Sequence, residues 1–149
     1  MANVEELDSI RETYVGKVFD TTTFSIDAEH LVGWAVACGE TEARFTDPEH
    51  PDFQAHPGYT SHFSAGRWTP KGFPQLGNGR GIDGGKSVEV LGKIRPGDTL
   101  TAETMISEIY TKTGRSGTMI FVVNRMSFTN QHGEKVAAVD WRQIRATDD

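Results

Sequence analysis

The stretch from Lys86 to Ala146 constrains this chain most, because apolar residues recur there at every second position and turn residues break the runs at intervals. The expected outcome is four antiparallel strands joined as a meander. R-P-G-D (95–98) puts Pro and Gly where a type II turn requires them, and T-K-T-G-R-S-G (111–117) and N-Q-H-G-E (130–134) are further tight connections. In Thr99–Tyr110, Leu100, Ala102, Thr104 and Ile106 share one face. In Thr118–Thr129, Met119, Phe121 and Val123 oppose Ile120, Val122 and Met126. A run that is apolar on both faces belongs at the centre of a sheet, covered by a helix on one side and by loops or a subunit on the other. Strands this long suit one sheet curled around one helix, and the edges of such a sheet call for pairing with another copy or a homologous subunit.

Ahead of the meander, residues 3–12 have the pattern of a short amphipathic helix, and Thr13 to Phe24 is rich in Val, Phe, Tyr and Thr, which suit a strand. Ser25 or Asp27 can cap a second helix with apolar positions Leu31, Trp34, Ala35 and Cys38, stopped by Gly39. From Phe45 to Gly85 five prolines and many glycines dissolve the pattern, except for H-P-G-Y-T-S-H-F-S-A-G-R-W (56–68), which has room for a further helix after Pro57. A loop this long inside a compact domain is usually functional. No repeat or linker divides the chain, so residues 1–149 are expected to form one α+β domain.

The formal charge of −6 leaves no basic field to gather a nucleic acid, and only Lys71, Arg80 and Lys86 are placed to meet an anionic ligand. Cys38, the single cysteine, lies in an apolar run and is expected to be a buried, inert thiol in a reducing compartment. The opening M-A-N-V-E-E-L-D-S-I has neither the basic start nor the apolar core of a signal peptide, and nothing approaches the roughly 20 apolar residues of a membrane span. A cytoplasmic protein with no membrane or nucleic-acid partner is expected.

Taken together, G-K-I-R-P-G-D-T-L (92–100), Y-T-K-T-G-R-S-G (110–117) and T-N-Q-H-G-E-K-V-A (129–137) resemble the hot-dog domains of the MaoC-like hydratase and dehydratase superfamily. The chain is most similar to the branch named for the amino-terminal dehydratase half, which includes the mycobacterial (3R)-hydroxyacyl-carrier-protein dehydratase accessory subunits. The resemblance runs from about residue 8 to residue 146 and implies a single hot-dog domain, an antiparallel sheet wrapped around a central helix. R-specific enoyl-CoA hydratases of the superfamily carry G-D-x-N-P-I-H-x-D after their first helix, with the Asp and the His activating water. The matching stretch here runs from Gly39 to Asp47, with Glu40 in place of that Asp and Phe45 in place of the His. Phenylalanine neither accepts nor donates a proton, so the dyad in its familiar form is absent.

The resemblance therefore implies the acyl-binding half of an (R)-specific enoyl-thioester hydratase or 3-hydroxyacyl-thioester dehydratase. Its partner would be a homologous hot-dog subunit carrying the Asp/His dyad, or a second copy of itself. The substrate would be a CoA or carrier-protein thioester, with no metal or redox cofactor. In the family, H-P-G-Y-T begins the buried hot-dog helix, so Gly58, Tyr59 and Thr60 are candidate substrate contacts, with the N–H of Gly58 or Tyr59 polarising the thioester carbonyl. Trp68 is a candidate pocket wall, whereas Trp34 and Trp141 are read as core. G-N-G-R-G-I-D-G-G-K (77–86) is read as a lid or tunnel lip, with Arg80 and Lys86 meeting a phosphate. His50, His56 and His62 match no zinc spacing. Two other readings stay open: a self-sufficient hydratase or thioesterase using Glu40, Asp47 or a loop histidine such as His56, and an acyl-thioester-binding domain without activity.

Overall fold

The computed structural model describes residues 3–148. A 3-10 turn, Val4–Glu6, leads into helix α1, Leu7–Tyr14, and then come strand β1, Val18–Ser25, helix α2, Ala28–Ala37, and the one-turn helix α3, Ala43–Thr46. After a 3-10 turn at Tyr59–His62 the remaining strands are β2, Gly81–Val90, β3, Thr99–Gly114, β4, Gly117–Thr129, and β5, Lys135–Ala146. All five strands form one antiparallel sheet in the order β1-β3-β4-β5-β2, giving the α+β architecture expected. No described helix is long and apolar enough to cross a membrane.

Strand β4 is central, as its two-sided apolar pattern requires. Ile120, Val122, Met126 and Phe128 are buried on the concave face, together with Leu100, Ala102 and Ile106 of β3 and Ala137 and Val139 of β5. A bulge between Ile106 and Glu108 resets the alternation of β3, so that Ile109 continues the core while Tyr110 turns to the convex face and stacks on Phe121 at 4.8 Å. The concave face is covered in two places. Leu31 of α2, Phe53, Ala55 and Tyr59 cover one half, and Leu7 and Ile10 of α1 with Leu76 cover the other. Gly97 takes the left-handed conformation (φ 88°) that the R-P-G-D turn demands.

Helix α2 starts where expected: Asp27 Oδ1 accepts from the His30 N–H at 2.8 Å, and Gly39 at φ 79° ends it. Its buried face is narrower than the sequence suggests. Only Leu31 and Ala35 are buried, and the cover runs out before Cys38, so the thiol is exposed rather than buried. Trp34 and Trp141 are half-buried instead of core.

Two further expectations are corrected. The helix after Pro57 is a single 3-10 turn because side chains there compete for its carbonyls: Ser61 Oγ donates to the Gly58 carbonyl at 2.7 Å, and His62 Nδ1 donates to that of Tyr59. The chain then leaves in extended conformation at Phe63. The glycine-rich segment 77–86 is a lip only in part, since from Gly81 it is the edge strand β2, paired to β5 with a bulge between Asp83 and Lys86.

Phe128 is fully buried against Phe24 and Phe63 and anchors the cover to the sheet. Phe128→Ala is expected to lower the unfolding free energy by about 3–5 kcal/mol, measured by urea denaturation. A loss below about 1 kcal/mol would show that the sheet and its cover are not coupled through this ring.

Candidate functional site

Beyond α2 the chain reverses at Gly39 and delivers Glu40 toward the loop that carries His56. Glu40 Oε1 accepts the N–H groups of Glu42 (2.9 Å) and Thr41 (3.0 Å), and Oε2 lies 3.1 Å from His56 Nε2. The Glu42 N–H is the largest cause holding this carboxyl below its ordinary range, partly opposed by desolvation and reinforced by the Thr41 N–H and His56. On the other side of the ring the Gly58 N–H donates to His56 Nδ1 at 3.1 Å, so Nδ1 is an acceptor and Nε2 carries the hydrogen directed at Glu40. Both ring nitrogens are occupied. The imidazole is held between Trp34 and Phe45, at 5.5 and 5.4 Å between centroids, and Phe45 is buried.

The structure thus brings Glu40 and His56 together and packs the buried Phe45 ring against the imidazole. Gly58 and Tyr59 both spend their N–H groups locally, on His56 Nδ1 and on the His56 carbonyl (2.9 Å). Tyr59 is buried with its hydroxyl 2.6 Å from His30 Nδ1, and burial, with a lesser contribution from Asp27, pushes its phenol up to about 12. Thr60 is buried with its Oγ1 unpartnered, and with His56 it lines a cleft of about 30 Å³, the scale of one water molecule.

A larger cavity, about 210 Å³, lies elsewhere, between the concave face of the sheet and the segment 63–68. Its floor is Thr104, Asn124 and Met126, and its walls include Trp68, Lys86 and Trp141. The roof is tied down twice: the Gly66 N–H donates to Asp20 Oδ2 at 2.9 Å, and Asn124 Nδ2 donates to the Trp68 carbonyl at 2.8 Å. Trp68 and Trp141 meet edge to face at 5.1 Å. Lys86 Nζ donates to the Ser61 carbonyl at 2.8 Å and stands 5.5 Å from the centre of the Trp141 ring. The one carboxylate in the lining, Asp83, accepts from Trp141 Nε1 and from the Gly85 N–H, both at 2.9 Å; these bonds, Trp141 first, hold its pKa below the usual range. No imidazole lines this cavity.

Of the residues singled out in the sequence, Trp68 and Lys86 meet at this cavity, while Arg80 is exposed just ahead of β2 with its N–H on Asn78 Oδ1 at 3.0 Å. The sequence reading passed over Thr104, Asn124, Asp83 and Arg67. One signal was present: Asn124 interrupts the apolar run I-F-V-V-N-R-M at a core-facing position.

The family model described as FAS1-like, dehydratase domain region matches residues 13–139. No curated protein matches the sequence. Among solved structures, the MaoC-like dehydratase from Rhodospirillum rubrum is similar at TM-score 0.63 and 21% identity, over 91% of this chain and 94% of that one. The MaoC-like dehydratase from Phytophthora capsici is similar at TM-score 0.68 and 24% identity, over 91% of this chain but only 48% of that one. The ChsH1-ChsH2 complex from Mycobacterium tuberculosis gives TM-score 0.68 at 16% identity, covering 96% and 90%. At these identities the likeness is one of fold.

His62 supplies a check on the loop. Desolvation of its inner side lowers its pKa from 6.5, against the bond to the Tyr59 carbonyl and with the help of the His30 and Lys86 charges. A depressed folded value means that the unfolded chain binds the extra proton more readily, so this stability is present above about 6.5 and is lost as pH falls through the folded value. The His62 ring is expected to titrate below 6.5 by NMR, and the melting temperature to drop less between pH of about 7.5 and about 5.5 in His62→Gln than in the parent. A midpoint at or above 6.5 would contradict this packing.

Proposed function

Since the chain belongs to the FAS1-like dehydratase-region family and has the MaoC-like hot-dog fold, we propose that it is the acyl-thioester-binding half of an (R)-specific enoyl-thioester hydratase or 3-hydroxyacyl-thioester dehydratase. A second hot-dog chain supplies the acid and the base. The observation that carries this reading is the separation of the imidazole–carboxylate pair from the cavity able to hold an acyl group.

Adding water across an enoyl thioester requires a base for the water proton, an acid for the α-carbon and donors for the enolate-like oxygen. Glu40 is a carboxylate held ionised by two N–H groups and His56, which suits it to neither accepting nor delivering a proton near neutrality. His56 has no free nitrogen. In the cavity, Asp83 is likewise tied. The chain's own contribution is then binding: Trp68 and Trp141 wall the acyl group, and Lys86 and Arg80 meet the phosphates of CoA or of a carrier arm. The reading invokes no metal or redox cofactor. Among the described residues β2 is an edge of the sheet, and Ile82 and Val90 on it and Leu91 just after it are about half exposed, which suits pairing with the homologous subunit.

One observation favours a second reading, in which the chain works alone: Glu40 and His56 do meet at 3.1 Å, each about one-quarter exposed. Opening of the Gly58 contact would free Nδ1 to act as a base. Spectrophotometric assay of an enoyl-CoA with the isolated chain separates the two. No turnover by itself, and turnover on adding the sister hot-dog chain, is expected; turnover by the isolated chain that disappears in Glu40→Gln would overturn the partnered reading in favour of the second.

A further inference from the structure

The floor of the 210 Å³ cavity is polar where a surface for a plain alkyl chain would be apolar. Thr104 and Asn124 are 1% and 5% exposed, and each keeps one buried atom without a protein partner, Thr104 Oγ1 and Asn124 Oδ1. Leaving such buried groups unpaired opposes folding, and the described residues do nothing to relieve it. Resting on the acyl-thioester reading above, we propose that this cavity takes an acyl group bearing a further hydroxyl beyond the 3-position at which the reaction acts, and that this hydroxyl bridges Thr104 and Asn124.

The chemistry of the two atoms selects the ligand group. Asn124 gives its Nδ2 hydrogen to the Trp68 carbonyl at 2.8 Å, which fixes the amide so that the remaining Oδ1 is purely an acceptor. The Thr104 hydroxyl both donates and accepts. Thr104 pairs with Met126 and Asn124 with Ile106, so the two residues are diagonal neighbours on one face, with backbones about 7–8 Å apart. One oxygen hydrogen bonding at about 2.8 Å on each side spans such a gap. A ligand hydroxyl donates to Asn124 Oδ1 and accepts from Thr104. A ketone can only accept, which leaves Oδ1 unpaired. A carboxylate sets an anion against the amide oxygen. An ammonium would satisfy both oxygens but would enter a cavity already lined by Arg67 and Lys86, facing only Asp83. An unsubstituted chain leaves both atoms orphaned.

Calorimetric titration of the isolated chain with hex-2-enoyl-CoA and its 4-, 5- and 6-hydroxy derivatives tests this. At least one hydroxylated thioester is expected to bind about tenfold more tightly than the parent, and the advantage is expected to vanish in Thr104→Val, which keeps the side-chain shape and removes the hydroxyl. The melting temperature of unliganded Thr104→Val is expected to match or exceed that of the parent, because no structural partner is lost; a large fall would mark the hydroxyl as structural and overturn the proposal. Equal binding of all four thioesters would also overturn it, while leaving the acyl-binding reading intact. Binding of none would overturn both.

Discussion

Strand β4 has to be buried on both faces, and the other elements answer to that requirement. On the convex side a stacked pair, Tyr110 on Phe121, with Lys112 over the rings, supplies part of the cover. On the concave side the cover is assembled from pieces, α1, α2 and the segment around Tyr59, because no single helix runs the length of the sheet. Each fully buried large side chain contributes roughly 1.5–3 kcal/mol, so the apolar rows of β3, β4 and β5 favour any cover that reaches them. Where the row turns polar, at Thr104 and Asn124, the cover stands off and is held by hydrogen bonds to Gly66 and Trp68 instead. The cavity is therefore placed by the same pattern that builds the core.

The pair of Glu40 and His56 belongs to the cover rather than to the cavity. Its hydrogen bonds close the ends of two loops: Thr41 and Glu42 on one side, Gly58 on the other. Phe45 and Trp34 pack against the ring. An acid–base group must exchange protons with a ligand, and every polar atom of this pair that could do so has a partner inside the protein. In this geometry the pair ties the end of α2 to the Tyr59 turn.

Much of the sheet was legible in the sequence because period-two alternation and Pro/Gly turns are local signals, and β4 showed its central place through apolar residues on both faces. Helix α2 was legible through its Asp27 cap and Gly39 stop. The turn at Tyr59–His62 was not, since its brevity comes from Ser61 and His62 bonding to carbonyls that a longer helix would use. Nor was the exposure of Cys38, which depends on where the sheet ceases to cover α2. The absence of an imidazole at Phe45 could be read directly, but the approach of His56 to Glu40 crosses a proline-broken loop with no periodic signal. Thr104 counted as one of a face of apolar partners; its orphaned hydroxyl emerges only with the cavity.

On the partnered reading, this chain by itself does not move a proton at the α-carbon of its ligand. Incubating the isolated protein with a (R)-3-hydroxyacyl-CoA in deuterated water and following the α-hydrogen signals by NMR tests it at the level of the proton transfer, without requiring net turnover. The signals are expected to persist undiminished over the incubation. Deuterium entering the α-position, at a rate that falls in His56→Ala, would contradict it.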